Sequence, residues 1–264
     1  MKRRLCVTFL FIILSLLFPF SVYADDITIN TDKISQGLVQ VQYTGDLSKP
    51  IKIMVQANGE QDVFTVRDKS ASYVPLQMGQ GTYTVSVLQQ IEGTKYKPLK
   101  SESMYVGDVG NNTAVYTSPS LIVNYNAEME AIKGYGDMTA NKGADDQIMA
   151  VYQDLVTKYG YDYDKAKNLP SDYVPVIDDM YRSKLGICYD YSVLFASLLR
   201  YNGIPTKLIM GYAPDINSYH AWNEVYMDGK WITVDTTYDS QFQKAKMSYT
   251  FAKDASKRKV VKVY

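Results

Sequence analysis

Two periodicities divide the chain. From residue 25 to about residue 110, short runs of β-branched and aromatic residues are broken by turn formers, most clearly at 27–29, 38–43, 51–55, 63–66, 83–88 and 104–106. Tyr83-Thr84-Val85-Ser86-Val87 alternates strictly, as a strand with one buried face should. Asn58-Gly59 between the third and fourth runs is a hairpin signal, because a two-residue turn of matching twist needs left-handed backbone at both positions. Some seven short strands in about 85 residues predict a small β-sandwich. No residue in this half suggests chemistry, so it reads as a spacer or binding module.

Residues 107–118 are polar and rich in Gly and Asn, a predicted linker. Helical spacing then takes over. The segment 145–159 places Ile148, Val151, Tyr152, Leu155 and Tyr159 on one face, with Gly160 as a stop. A short helix is predicted over 178–185. A third, the most apolar, spans 188–201 with Tyr191, Leu194, Phe195, Leu198 and Leu199 in phase, and ends at Asn202-Gly203 before Pro205. The period then shortens to that of strands at 206–211, 222–227 and 231–235, the last two joined by Asp228-Gly229. Helices followed by antiparallel strands predict an α+β domain.

The first 24 residues read as an address. Lys2, Arg3 and Arg4 precede an apolar run from Leu5, Pro19 breaks it, and Val22 and Ala24 supply the small-residue pattern before a cleavage point, so Asp25 would begin the mature chain. Leu5 to Phe20 is 16 residues, short of the roughly 20 that cross a bilayer. Cys6 lies near the start of the run, where a lipoprotein cysteine would follow it. A secreted, extracellular or cell-surface protein is expected, with no membrane span after signal cleavage.

Composition sharpens this picture by subtraction. The 264 residues carry 28 Lys+Arg and 28 Asp+Glu, which gives no electrostatic reason to bind nucleic acid. Without the signal the balance is 25 to 28, a net charge of about −3. Two cysteines and one histidine exclude a disulfide framework, a Cys-rich zinc site and a multi-His centre, and no EF-hand-like acidic loop is present. No metal or cofactor is expected. Loss of Cys6 leaves Cys188 as the one mature cysteine beside His220 as the one histidine. An odd cysteine in an oxidising compartment is buried and inert, an intermolecular link, or a reactive thiol.

The chemistry concentrates in three places. Gly186-Ile187-Cys188-Tyr189-Asp190 puts Cys188 at the start of the apolar helix, with Gly186 expected to let the backbone turn sharply. Unpaired N–H groups and the positive end of the helix dipole favour a thiolate there and could stabilise an oxyanion. Asp190 suits the first helical turn and reads as a helix-start residue rather than a catalytic acid. His220 and Asp235 flank the Asp228-Gly229 turn almost symmetrically, so the hairpin predicts them as cross-strand neighbours, the carboxylate orienting the imidazole. Each residue also has a structural reading: a cysteine as a small buried hydrophobe, a histidine satisfied by packing, an aspartate ending a strand. Trp222 either packs beside the hairpin or walls an acyl-donor channel.

The runs Gly186-Ile187-Cys188-Tyr189-Asp190-Tyr191-Ser192, His220-Ala221-Trp222-Asn223-Glu224-Val225-Tyr226 and Gly229-Lys230-Trp231-Ile232-Thr233-Val234-Asp235-Thr236-Thr237 resemble the transglutaminase-like superfamily, as do the intervening Gly203-Ile204-Pro205 and Gly211-Tyr212. The resemblance covers roughly 145–239. It implies a papain-like core with Cys188 as nucleophile, His220 as general base then acid and Asp235 as orienter, attacking an amide carbonyl through a thioester. Papain-like enzymes carry a glutamine shortly before the cysteine, and no Gln lies between Gln153 and Cys188. The oxyanion-hole side chain is therefore unassigned, with Tyr181 or another aromatic as one option. Separately, Gly79-Gln80-Gly81-Thr82-Tyr83-Thr84-Val85 resembles the G-x-Y-x-V strand of immunoglobulin-like modules in bacterial surface proteins.

The resulting expectation is a signal peptide at 1–24, an immunoglobulin-like sandwich at 25–110, a linker and lead-in at 111–144, and a catalytic α+β domain at 145–264. The expected activity is hydrolysis (peptidase or amidase) or acyl transfer to an amine, with a peptide or protein substrate at the cell surface or cell wall. The competing expectation is a catalytically silent extracellular binding or scaffold protein that keeps the fold alone.

Overall fold

The computed structural model describes residues 26–109, 113–170, 172–214 and 216–264. The segment expected to be a signal peptide lies outside these residues. The chain divides into two compact units, Met1–Gly110 and Asn111–Tyr264.

The first unit is all-β. Its strands are β1 (Ile27–Asn30), β2 (Leu38–Tyr43), β3 (Ile51–Ala57), β4 (Glu60–Val66), β5 (Ser72–Pro75), β6 (Gly81–Glu92) and β7 (Lys95–Val106). They form two antiparallel sheets, ordered β1-β2-β5 and β4-β3-β6-β7. Ala57 pairs with Glu60 across the expected two-residue turn, where Asn58 and Gly59 both hold positive φ, 52° and 79°. Tyr83, Val85 and Val87 are fully buried, while Met54, Leu88 and Tyr96 form a second small apolar cluster. Strands β6 and β7 run well past the apolar segments that announced them. Their partner-facing backbone is satisfied by the ladder, and polar cross-strand pairs such as Ser86 with Ser101 (2.8 Å) extend it.

The second unit contains α1 (Glu130–Thr139), α2 (Ala144–Lys158), β8 (Gly160–Tyr161), α3 (Tyr163–Lys167), α4 (Ile177–Ser183), β9 (Leu185–Gly186), α5 (Cys188–Tyr201), β10 (Thr206–Tyr212), β11 (His220–Met227), β12 (Lys230–Val234), α6 (Thr236–Lys244) and β13 (Lys259–Val263). Strands β12-β11-β10-β13 form an antiparallel sheet, and α5 packs against β10 and β11. Every residue of α5 from Asp190 to Arg200 is buried, which explains why its sequence is apolar on nearly all sides. Helix α1 lies inside the segment read as linker and lead-in, and packs on α2 and α4.

The helix expected over 178–185 ends earlier, at Ser183. Lys184 turns left-handed (φ 55°) and its carbonyl accepts from the Gly160 N–H at 2.7 Å, so residues 185–186 leave the helix and pair in parallel with β8. Among the described residues no helix is long and apolar enough to cross a membrane.

Candidate active site

Cys188 is the first residue of α5 and is partly exposed; among the described residues it is the free cysteine. At this position the first-turn N–H groups have no partner within the helix and carry the positive end of its dipole. The turn is held by Asp190, only 2% exposed, whose Oδ2 accepts from the Ile187 N–H at 2.8 Å. Lys165 Nζ lies 3.0 Å from Oδ1 and 2.9 Å from Oδ2 of the same carboxylate, and the Tyr173 hydroxyl donates to Oδ1. Asp190 is thus the helix-start residue expected, and also a junction tying α3 and the 170s loop to the base of the cysteine helix.

Gly186 has a different reason to be glycine from the one the sequence suggests. Its φ lies outside the positive region occupied by Gly203 and Gly229. A Cβ there would come within 2.8 Å of Asp190 Cβ and 3.1 Å of Met180 Sδ. Close approach of the Asp190 and Met180 side chains, not a sharp backbone turn, excludes a larger residue.

His220 opens β11 and is 6% exposed; its Nε2 lies 2.9 Å from Asp235 Oδ2. The two are not cross-strand partners. The Asp228-Gly229 turn (φ 50° and 75°) pairs Met227 with Lys230 and Asn223 with Val234. Continued one step, that register sets Asp235 opposite Trp222. Strand β12 stops at Val234, and Asp235 becomes the N-cap of α6, its Oδ1 accepting from the Tyr238 N–H at 3.0 Å. The imidazole and carboxylate therefore meet diagonally, two residues off the straight register, a distance that a long polar pair can span.

Burial is the largest influence on the His220 pKa and works against its charge. The hydrogen bond and attraction of Asp235, followed by a hydrogen bond and attraction from Cys188, outweigh it and push the pKa up to about 9. Asp235 is fully buried; burial alone would raise its pKa, but His220, Arg258 and the Tyr238 N–H hold it below the ordinary carboxylate range. The structure thus places Cys188 beside the His220–Asp235 pair. Trp222, 1% exposed, stacks beside the imidazole at 6.3 Å between centroids and 24° between planes, so it packs under the hairpin.

Two residues of the site escaped the sequence reading. Arg258 donates from Nη1 to Asp235 Oδ2 at 3.0 Å, with its side chain 5% exposed and its guanidinium carbon 5.1 Å from the Trp222 ring. Tyr161, in β8 beside Gly186 of β9, has its pKa pushed up to about 12 by burial first and then by the charge of Cys188. Tyr181 is engaged elsewhere: Lys184 Nζ sits 4.0 Å over its ring, and its hydroxyl lies against Gly134 of α1. Among the described residues, no group of three or more His, Cys, Asp or Glu side chains could hold a metal ion.

Residues 133–236 match the family model of the transglutaminase-like superfamily. The match contains Cys188, His220 and Asp235 and stops before most of α6, β13 and Arg258. Among solved structures, the chain is similar to a transglutaminase (22% identity, 41% of this chain and 30% of that one, TM-score 0.32). It is also similar to a candidate cysteine protease from Cytophaga hutchinsonii (16% identity, 73% of this chain and 68% of that one, TM-score 0.42). A third is red sea bream transglutaminase (11% identity, 75% of this chain and 47% of that one, TM-score 0.28). The chain spans less than half the length of both transglutaminases. Comparison with curated proteins gives no match.

Proposed function

We propose that this protein is an exported thiol enzyme acting on peptide or protein amide bonds, with Cys188 as nucleophile, His220 as general base then acid and Asp235 as orienter. The observation that carries the reading is the His220–Asp235 hydrogen bond beside Cys188, whose presence favours the imidazolium: the carboxylate occupies Nε2 at 2.9 Å, which leaves Nδ1 as the nitrogen for the sulfur. His220 takes the thiol proton before the attack and, with its pKa pushed up to about 9, holds it at neutral pH, so the sulfur attacks the amide carbonyl carbon as thiolate. The carbon–nitrogen bond then breaks, the amine leaves with the proton from His220, and a thioester remains on Cys188. Water or a second amine attacks the thioester and gives its proton to His220. Cleavage of the carbon–sulfur bond returns the thiol and releases a carboxylic acid or a new amide.

The Cys188 N–H at the start of α5, with the Tyr161 hydroxyl as a second donor, suits the oxyanion of this step. The N-terminal unit is read as an immunoglobulin-like module that brings the enzyme to a cell-surface or cell-wall substrate.

Fluorescent-amine incorporation into casein, measured beside ammonia and peptide release, tests the reading. Incorporation lost in Cys188→Ala establishes transfer, and release alone, lost in the same variant, establishes hydrolysis. Absence of both from the wild type, or their persistence in the variant, contradicts it.

A further inference from the structure

Arg258 comes from outside the transglutaminase-like segment, yet it is one of the two side chains that hold the carboxylate oxygen facing His220. Its guanidinium Nη1 and the imidazole Nε2 both approach Asp235 Oδ2, at 3.0 Å and 2.9 Å. The three groups are almost sealed from water: the side chains of Arg258, His220 and Asp235 are 5%, 6% and 0% exposed. Trp222 closes the ring of contacts, its ring 5.1 Å from the guanidinium carbon and stacked at 6.3 Å between centroids on the imidazole. A lone glycine makes room for this. Gly211 of β10 stands opposite His220 in the ladder, and a Cβ there would overlap the Lys259 carbonyl and lie 3.0 Å from Trp222 Cη2. The backbone at Lys259, where β13 begins pairing with β10, therefore comes so close to residue 211 that only glycine fits there, next to a register shift between Met210 and Gly211.

We propose that Arg258 is a positioning residue that keeps Asp235 ionised, fixes its Oδ2 toward Nε2, and limits how tightly the carboxylate holds the imidazole proton. Its catalytic consequence rests on the function proposed above.

The sign follows from the charges that face His220. Asp235 at the N-cap of α6 and Cys188 at the start of α5 both favour the imidazolium; Arg258 acts on Asp235, and by binding the same Oδ2 as the ring it draws on the charge that holds the imidazole proton. Asp239, one turn further along α6, faces Asp235 and is itself bound by Lys253 and by the Tyr152 hydroxyl at 2.7 Å. With the partly exposed sulfur as thiolate, two anions and two cations would balance in the site. Removing Arg258 leaves one net negative charge, so the proton is held harder by His220 and is given less readily to a leaving amine.

The single histidine of the chain makes the test direct, because one imidazole resonance reports one residue. Its protonation is followed by NMR titration in the wild type and in Arg258→Gln and Arg258→Lys. Loss of the charge in Arg258→Gln should raise the His220 pKa by about one unit. Near the wild-type midpoint the ring should then go from half to roughly nine-tenths protonated. Arg258→Lys, which keeps the charge but not the forked donor, should shift it upward by less and recover part of the activity. If Arg258→Gln does not fold, the direction of the shift in the lysine variant decides. An unchanged or lowered His220 pKa in the folded variants overturns the proposal. The resonance is read without substrate, so a protein found to have no amide chemistry would overturn the proposed function and leave this result standing.

Discussion

His220 and Asp235 meet on a diagonal of the β11–β12 hairpin, with Asp235 already outside the strand as the cap of α6. One aspartate thus does two jobs with two oxygens, Oδ1 on the Tyr238 N–H and Oδ2 on the imidazole. Asparagine is as good a cap as aspartate, so Asp235→Asn should keep α6 and lose the charge. The His220 pKa should fall, because its strongest charge-favouring partner is gone, and turnover should drop on the order of 10²- to 10⁴-fold. Circular dichroism and steady-state rates check this pairing; an Asp235→Asn protein with undiminished turnover would exclude Asp235 as the orienter.

The raised pKa of His220 predicts a pH window for stability. A group that binds its proton more tightly when folded adds stability that is complete below its unfolded pKa of 6.5 and is lost as pH rises through its folded value of about 9. The depressed pKa of Asp235 acts in the opposite direction, with stability present above the ordinary carboxylate range and lost as pH falls below it toward the lower folded pKa. The stability advantage of the wild type over His220→Gln should therefore shrink between pH 7 and pH 10, by on the order of 3 kcal/mol. Both tryptophans, Trp222 and Trp231, lie in the second unit, so urea unfolding followed by their fluorescence reads that unit alone. A difference that stays constant across this range removes the protonated His220–Asp235 pair from the account. Activity should fall over the same alkaline limb.

Asp190 should prove as important to the cysteine as any residue that touches it. Asp190→Ala leaves the Tyr173 hydroxyl and the Ile187 N–H without their acceptor and strips Lys165 of its partner. Loss of one member of a buried pair costs several kcal/mol, but Lys165 keeps 28% of its side chain exposed, so about 2–3 kcal/mol is expected. Thiol alkylation of Cys188 should slow as the first turn of α5 loosens. A loss of stability under about 1 kcal/mol would make Asp190 an ordinary cap.

Gly211→Ala should act at a distance. The added methyl meets backbone rather than a flexible side chain, so β13 must shift, at a cost of roughly 1–3 kcal/mol. The shift moves Arg258 off Asp235, and the His220 pKa should rise as in Arg258→Gln. Were the variant destabilised with an unmoved His220 resonance, Gly211 would serve the sheet alone.

Much of this was legible in the sequence. The α5 start, the hairpin turn and the three polar residues stand in short motifs whose chemistry depends on local backbone, and spacing carries local backbone well. The register was missed by a small margin: symmetry about the turn suggested direct opposition, whereas a two-residue turn at Asp228-Gly229 shifts the ladder and hands Asp235 to α6. Helix α6 itself was hidden because Thr236-Thr237 looks like strand, although Asp235 three residues before Tyr238 was a capping signal. Arg258 had no signal, since a single basic residue among Lys257, Lys259 and Lys262 reads as a solvated surface until the sheet folds it over Trp222. Tyr161 was silent for the same reason, as its nearness to Cys188 depends on the two-residue pairing of β8 with β9.

The central claim is that Cys188 is a nucleophile activated by His220. Its most direct test is the rate at which iodoacetamide alkylates Cys188 at neutral pH, followed by intact mass, against a free model thiol and in His220→Gln. The account predicts alkylation faster than the model thiol, slowed in the variant to the model rate or below. Labelling of the wild type no faster than the free thiol would contradict it.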